Sequence, residues 1–332
     1  MKKISLIIEI HQPIGLRAYR FSETGDNHYY YDDYVNELTI RKTSAESYQP
    51  LNMLLRDIIR KSGGKFKISF LFSGITLDLM ELYDPEMIQS FKSLINSGNI
   101  ELLQGSYSNT FGIPASAMEF KRQVYLQKKR VEVLFSKKTV AFSTNLFNHD
   151  PSYAGIRFLN RNIKSDDITL LFVPYRISGD AQNNKEDLFG FLQSLADRIY
   201  SEPDIVFVNP SEISDDFPSI LSTGHSEPVA GNNLDTVSAS WNDLQYDAFQ
   251  KLKSLNEKVD LCNDPVINRD WLYLQSCDHF YYMNTDLYED NDTGRSYLPY
   301  DSPYFAYLNY MNILDDFYDR LTRSIAIPVL TR

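Results

Sequence analysis

The sequence predicts an α/β fold, because short apolar runs typical of buried strands alternate with segments of helical periodicity. Its 332 residues and 43% hydrophobic content are enough for a full-sized core. The chain carries no internal repeat and no linker rich in proline and serine. One domain over residues 1–332 is therefore expected, with residues 285–332 as its helical C-terminal part.

Seven segments are predicted as strands, and several are apolar throughout, as in a parallel sheet buried on both faces. They are Ile4–Ile10, Phe66–Phe72, Ile100–Leu103, Val140–Leu146, Ile168–Val173, Ile205–Val208 and Trp271–Gln275. No Gly-x-Gly-x-x-Gly phosphate turn follows any of them, which favours a barrel over a doubly wound open sheet. The predicted architecture is a distorted or incomplete TIM-like barrel, seven-stranded (β/α)7, with C-terminal helical additions.

The intervening helices are predicted from apolar stripes and capping residues. An apolar stripe over residues 51–59 predicts a helix that ends near Gly63. Further helix starts are predicted at Asp84-Pro85, at Ser116 with Glu119 as a capping box, at Asp187 and at Ser302-Pro303.

Charge and cysteine content exclude several classes of function. The chain has 33 basic and 44 acidic residues, a net charge of −11, and no basic block, which argues against nucleic acid or an anionic membrane as partner. Cys262 and Cys277 alone make neither a disulfide framework nor a zinc site, so no metal and no cofactor are predicted. The first ten residues lack the long uncharged core of a signal peptide, and a cytoplasmic protein is expected.

Polar residues that follow predicted strands are the candidate site residues, because barrels carry their chemistry at the carboxyl ends of strands. His11 and Gln12 follow the first predicted strand, and Asp278 and His279 follow the seventh. A histidine there can act as acid, base or hydrogen-bond partner. The alternative, that these groups only pack and hydrogen-bond the barrel mouth, stays open.

Four sequence blocks, in order, resemble glycoside hydrolase family 57, in particular its short bacterial α-amylase-type members. The blocks are His11–Pro13 with Arg17–Phe21, Gly98–Leu103, Leu274–Met283 and Pro299–Tyr304. The resemblance runs from about Lys3 to about Leu321 and implies a seven-stranded barrel that acts on α-1,4-glucans with retention of configuration. It also implies that the sugar pocket is lined by His11, Gln12, Trp241, Asp278, His279 and Tyr281.

The retaining mechanism needs a nucleophilic carboxylate and a carboxylic acid, roughly 5–5.5 Å apart. By resemblance, the nucleophile position of this chain is Asn145 and the acid position is Pro174. Asparagine has no anionic oxygen with which to attack, and proline has no proton to donate. The resemblance therefore implies a protein that has lost hydrolytic activity.

Three hypotheses follow. The first is an inactive α-amylase-like protein that binds α-glucan or maltooligosaccharide, or modulates an active paralogue. The second is an active retaining hydrolase or 4-α-glucanotransferase with displaced carboxylates, for which the candidates are Glu9, Asp150, Asp166, Asp180 and Asp278. The third is a structural or assembly subunit without sugar binding, whose mouth would be filled by residues 221–237 or 285–300.

Overall fold

The structure is a computed structural model that describes residues 2–110, 116–139, 141–142, 157–159, 168–175, 181–212, 241–288 and 298–330. Its strands are β1 (Lys2–Ile10), β2 (Ile68–Phe72), β3 (Ile100–Gln104), β4 (Ala141–Phe142), β5 (Arg157–Leu159), β6 (Ile168–Tyr175) and β7 (Ile205–Phe207). They lie in the order β4-β3-β2-β1-β6-β5, and β7 also pairs with β1. All pairs are parallel except β5 with β6.

Side chains of β1 alternate between two faces of the sheet, as the period of a strand requires. Ile4, Leu6, Ile8 and Ile10 pack into the main hydrophobic core. Ser5 and Glu9 are buried on the opposite face, and His11 follows at the carboxyl end of the strand. The face of β1 away from this core therefore carries two buried polar side chains, Ser5 and Glu9, on either side of the buried Ile7.

Helices flank the sheet and continue after its last described strand. They are α1 (Asp33–Thr43), α2 (Gln49–Lys61), α3 (Gly74–Tyr83), α4 (Pro85–Ile95), α5 (Ala117–Phe135), α6 (Ala181–Ser201), α7 (Asp243–Asp260), α8 (Pro265–Leu274), α9 (Cys277–Tyr281) and α10 (Pro303–Leu330). A π-helical segment, Ser44–Tyr48, joins α1 to α2. No helix in the described part of the chain is long and apolar enough to cross a membrane.

The predicted strand Trp271–Gln275 is wrong, because these residues belong to the end of α8 and the turn after it. Asp264 caps the helix by accepting hydrogen bonds from the backbone N–H groups of residues 266 and 267, and Pro265 occupies its first turn. Ile267, Trp271 and Leu274 then bury one helical stripe. A short apolar run fits a strand or a buried helix, and the cap at Asp264, upstream of the run, decides for the helix.

The described strands form an open, mainly parallel half-barrel, in agreement with the predicted α/β class, but the predicted distorted or incomplete seven-stranded (β/α)7 barrel is not shown. β5 is antiparallel to β6 and had not been predicted. The predicted fourth and fifth strands correspond to β4 and β6, which are separated in the sheet by β3, β2 and β1. Among the described strands, the fourth and fifth predicted strands are therefore not neighbours in the sheet.

Helix starts follow the predicted caps with two corrections. The structure confirms the starts at Pro85 and Pro303, but α6 begins at Ala181 and not after Asp187. Ser116 accepts a hydrogen bond from the backbone N–H of Glu119, at 3.1 Å. The Glu119 carboxylate is bound by Gln275 and Arg122, so it does not close the capping box predicted for this turn.

Candidate functional site

The centre of the candidate site is a buried pair, His11 and Asp278, joined across 267 positions of the chain. The Nε2–H of His11 donates to Oδ2 of Asp278 at 2.8 Å, and both side chains are at most 3% exposed. Ser276 donates its hydroxyl to the same oxygen at 2.6 Å. The chain thus holds a carboxylate in a fixed orientation beside the carboxyl end of β1.

The turn after β2 fixes the other side of His11. Ser73 Oγ lies 2.8 Å from Nδ1 of His11 and also 2.8 Å from Thr76 Oγ1. Ser73 is the N-cap of α3, where it accepts the backbone N–H of Thr76. Thr76 Oγ1 accepts the backbone N–H of Gln12 at 2.6 Å, so the ends of β1 and β2 are tied together by hydroxyl groups.

The loop after β3 reaches the same place. Gln127 of α5 donates to the carbonyls of Phe72 and Leu103 and accepts the N–H of Gly105, which joins the ends of β2 and β3. Asn109 has a left-handed backbone, φ 50°, which asparagine tolerates better than most residues. Its carbonyl accepts the N–H of Cys277 at 3.4 Å, so this loop contacts the start of α9.

His279 supports α9 from behind the pair. Its Nε2–H donates to the carbonyl of Tyr273 at 3.0 Å, and its ring lies 5.3 Å from that of Tyr310. Burial lowers the pKa of His279. A neutral imidazole with one committed donor is a structural and hydrogen-bonding group here.

Aromatic side chains flank α9. Trp241 stacks on Phe280 with ring centroids 5.8 Å apart and planes at 4°. Tyr281 contacts Tyr282 edge to face, and Tyr282 contacts Tyr300, each at 5.9 Å. Aromatic rings of this kind offer apolar faces for sugar rings beside the polar pair.

The predicted site residues differ in how directly they meet. His11 and Asp278 are in contact, and Gln12 joins them through Thr76 and Ser73, with its own amide oxygen accepting the hydroxyl of Thr43 at 3.2 Å. The sequence predicted Asp278 and His279 at the end of a strand, whereas they lie in the short helix α9. Asn145 lies outside the described residues.

Pro174 is the penultimate residue of β6, where it pairs in register with Glu9 of β1. Glu9 in turn pairs with Leu71 of β2. The acid position named by the family resemblance is thus at the carboxyl end of a strand, next to a buried glutamate.

Sequence reasoning missed Ser73, Ser276 and Thr76. Ser73 directly follows a predicted strand and precedes a glycine, which is the signal that marks both a strand end and a helix N-cap. Ser276 had no signal of its own, since it acts only through Asp278.

The described residues contain no group of three or more His, Cys, Asp or Glu side chains able to hold a metal ion. Cys262 and Cys277 are buried free thiols. The polar groups of the site are amide, hydroxyl, imidazole and carboxylate, which suit the hydroxyl groups of a neutral ligand.

Comparison with known proteins supports the family resemblance. The model of Glycosyl hydrolase family 57 matches residues 5–150. A protein of Methanocaldococcus jannaschii named "Putative alpha-amylase" is 21% identical over 393 aligned positions, which cover 95% of this chain and 84% of that protein.

Two solved structures share the fold. A 4-alpha-glucanotransferase from Thermococcus litoralis has a TM-score of 0.52 at 12% identity, over 84% of this chain and 56% of that one. A GH57-type branching enzyme from Pyrococcus horikoshii has a TM-score of 0.54 at 11% identity, over 98% and 90%. The chain thus spans little more than half the length of the glucanotransferase. At these identities the likeness shows the fold alone.

Proposed function

We propose that this protein is an α-amylase-like, family-57-type protein that binds α-1,4-glucan without hydrolysing it. The observation that carries the proposal is the buried His11–Asp278 pair at the carboxyl end of β1. Burying a carboxylate costs free energy. The buried Asp278 carboxylate lies where strand ends, α9 and aromatic rings converge, which is the reason for assigning it a function. Asp278 can accept sugar hydroxyls there, and Trp241 and Tyr281 can cover sugar faces.

The choice of glucan follows from the relatives. The names of the similar proteins include an alpha-amylase, a 4-alpha-glucanotransferase and a branching enzyme. We extend to this chain their common substrate class, a glucan or maltooligosaccharide. The proposed sugar-binding residues are His11, Gln12, Trp241, Asp278 and Tyr281, together with His279, which holds α9 in position through the carbonyl of Tyr273.

The proposed lack of hydrolysis rests on Asn145 and Pro174 at the nucleophile and acid positions. Loss of acid or base assistance alone removes about 10²–10⁴-fold in rate, and loss of the nucleophile removes the covalent route. We further propose a single domain over residues 1–332 with the distorted or incomplete seven-stranded barrel of the short bacterial α-amylase-type members, a cytoplasmic location and no nucleic-acid or membrane partner. Modulation of an active paralogue is the regulatory form of the same proposal.

The test is a calorimetric titration with maltoheptaose, followed by product analysis. We expect saturable heat and no shortened products. Asp278→Asn should weaken binding at least tenfold, because the amide no longer offers a carboxylate. Asp316→Asn is the matched control, since Asp316 is also a buried partner of a histidine but lies in another cluster. If the wild-type protein gives no heat of binding, the hypothesis of a structural subunit is favoured.

A second candidate function is catalysis by displaced carboxylates. The observation that favours it is that Glu9, near the carboxyl end of β1, and Asp278, in α9, are both buried carboxylates, and Glu9 pairs in register with Pro174. Asp150, Asp166 and Asp180 lie outside the described residues. Sustained turnover of maltoheptaose that disappears in Glu9→Gln would establish this function and refute the non-hydrolytic proposal.

A further inference from the structure

Away from the candidate site, a cleft with a volume of about 660 Å³ opens between α3, α5 and α8. Its polar lining includes Asp78, Glu81, Arg122, Arg130 and Arg269. Tyr273 separates the cleft from the candidate site, because its hydroxyl donates to Asp78 on the cleft wall at 2.9 Å while its carbonyl accepts His279. The cleft is therefore a distinct feature on the far side of a buried layer.

The charged walls of the cleft are held in place before any ligand arrives. Asp78 accepts the hydroxyls of Tyr107 and Tyr273, and Arg130 bridges Asp78 at 2.8 Å and Glu81 at 2.5 Å. Arg122 donates to Asn268 at 3.0 Å and pairs with the buried Glu119. Groups that are already ordered lose little conformational entropy on binding.

The charges of the lining compensate one another. Arg130 pairs with Asp78 and Glu81, Arg122 pairs with Glu119, and Arg269 lies 3.8 Å from Asp270. The cleft therefore offers both donors and acceptors without a net field for a small ion. Apolar surface lies between them, with Leu82 69% exposed and with Leu126, Pro265 and Leu272 also in the lining.

We infer that this cleft is an accessory site for a neutral oligosaccharide, separate from the candidate site around His11 and Asp278. Guanidinium N–H groups donate to sugar hydroxyl oxygens, carboxylates accept sugar hydroxyls, and leucine and proline side chains cover the C–H faces of the rings. The choice of an α-glucan as ligand rests on the proposed function. Two sites on one chain anchor the protein to a glucan at separate points, which raises its apparent affinity for long chains.

The test is a titration of four proteins with maltoheptaose, by calorimetry and by protein NMR. The cleft variant is the double substitution Leu82→Ala with Arg269→Ala, whose side chains are exposed enough to leave folding intact. Its matched control is Met53→Ala with Arg41→Ala, at similarly exposed positions on α2 and α1. The third variant, Tyr281→Ala, changes the candidate site around His11 and Asp278. Asp278→Asn is a second variant of that site, to be used if Tyr281→Ala lowers the melting temperature too far for the titration.

We expect two glucans bound per wild-type protein and one per cleft variant, in which the affinity of the cleft site falls at least tenfold. The control variant should keep both sites at wild-type affinity. The inference would be overturned, and the proposed function kept, if the wild type has one binding site that Tyr281→Ala or Asp278→Asn abolishes and the cleft variant leaves intact. A single site lost only in the cleft variant would support the inference and overturn the proposed site. A wild type that binds no maltoheptaose would overturn both.

Discussion

Two aspartate–histidine pairs lie in different regions of the molecule. His11 and Asp278 are 2.8 Å apart, with side chains 0% and 3% exposed. His28 and Asp316 are 2.9 Å apart, but His28 is 36% exposed while Asp316 is fully buried. The distances are nearly the same, and the surroundings differ.

The second pair belongs to a clamp, which we define as the contacts between the loop of residues 15–32 and α10. Asp316 accepts the backbone N–H of Gly25 at 2.7 Å and the hydroxyl of Tyr30 at 2.6 Å, besides His28. Asn309 strengthens the clamp by accepting the N–H of Tyr19. Asp316 thus fastens the N-terminal loop to the last helix.

An aspartate–histidine contact does not by itself identify a functional site. The described contacts of Asp316 come from one loop that it holds against α10, so its role in the described structure is architectural. Asp278 gathers groups from the end of β1 and from its own turn, where aromatic rings also converge. Position at the carboxyl edge of a parallel sheet separates the two.

The largest effect is expected from Asp316→Ala, which should lower the free energy of unfolding by about 3–5 kcal/mol, because buried donors lose their acceptor. Urea denaturation measures it. The neighbouring Asp315→Ala is the control, since Asp315 is 44% exposed and pairs only at the surface with Lys251, so we expect about 0–1 kcal/mol. Equal losses in the two variants would contradict the clamp.

Asp278→Asn should affect glucan affinity more than stability, whereas Asp316→Ala should affect mainly stability. We expect at least a tenfold loss of maltoheptaose affinity and a decrease of about 1–3 kcal/mol in the free energy of unfolding, because the amide changes a buried hydrogen-bond partner without creating a cavity. Asp316→Asn, the same chemical change at the clamp, should keep affinity within twofold. If both substitutions weaken affinity equally, the two pairs do not differ in function.

The two regions should respond to acid in different pH windows. Burial lowers the pKa of His279, so the unfolded chain binds a proton more readily than the folded one. The melting temperature should be highest above pH about 6.5 and fall as the pH drops below that value. His279→Gln should flatten this part of the profile, and a variant that keeps the wild-type slope would show that another group titrates.

The clamp should respond only in stronger acid. Burial by itself raises the pKa of the Asp316 carboxyl, but hydrogen bonds from Tyr30, Gly25 and His28 outweigh it and hold the pKa below its ordinary value. Its contribution to stability is then complete above pH about 4 and is lost as the pH falls through the lowered folded value. Asp316→Asn should remove this acid-dependent loss, as a melting series from pH 5 to pH 2 would show.

The smallest effect is expected from Ser276→Ala. Removing one hydroxyl donor to Asp278 should lower the free energy of unfolding by about 1 kcal/mol and weaken glucan binding severalfold. Ser254→Ala is the control, because Ser254 is exposed and bonds only within its own helix to Lys251. An affinity unchanged in Ser276→Ala would mean that the orientation of Asp278 does not depend on this serine.

Much of the secondary structure could be predicted from local patterns. The apolar runs of β1, β2 and β3 and the stripes and caps of α2, α4 and α10 lie within a few residues of one another in the chain. The predicted strand at Trp271 failed because an apolar run of five residues fits a strand or a buried helix equally well. The upstream cap at Asp264 decides between them.

The candidate site was only partly within reach of the sequence. His11 and Asp278 were both found by their place after apolar runs, and the family resemblance names both, but the run before Asp278 is a helix and not a strand. Ser73 and Ser276 were not found, because their role exists only through the side chains that they contact.

Local sequence patterns were sufficient for most of the strands and most helix starts, because these depend on residues close together in the chain. Which of the polar residues meet in space depends on the tertiary fold. His11 reaches Ser73 and Asp278, which are 62 and 267 positions away, through the register of β1 with β2 and the packing of α9 above them. The clamp at Asp316 likewise joins residues 288 positions apart. Such contacts are set by burial of the whole core, which no local pattern contains.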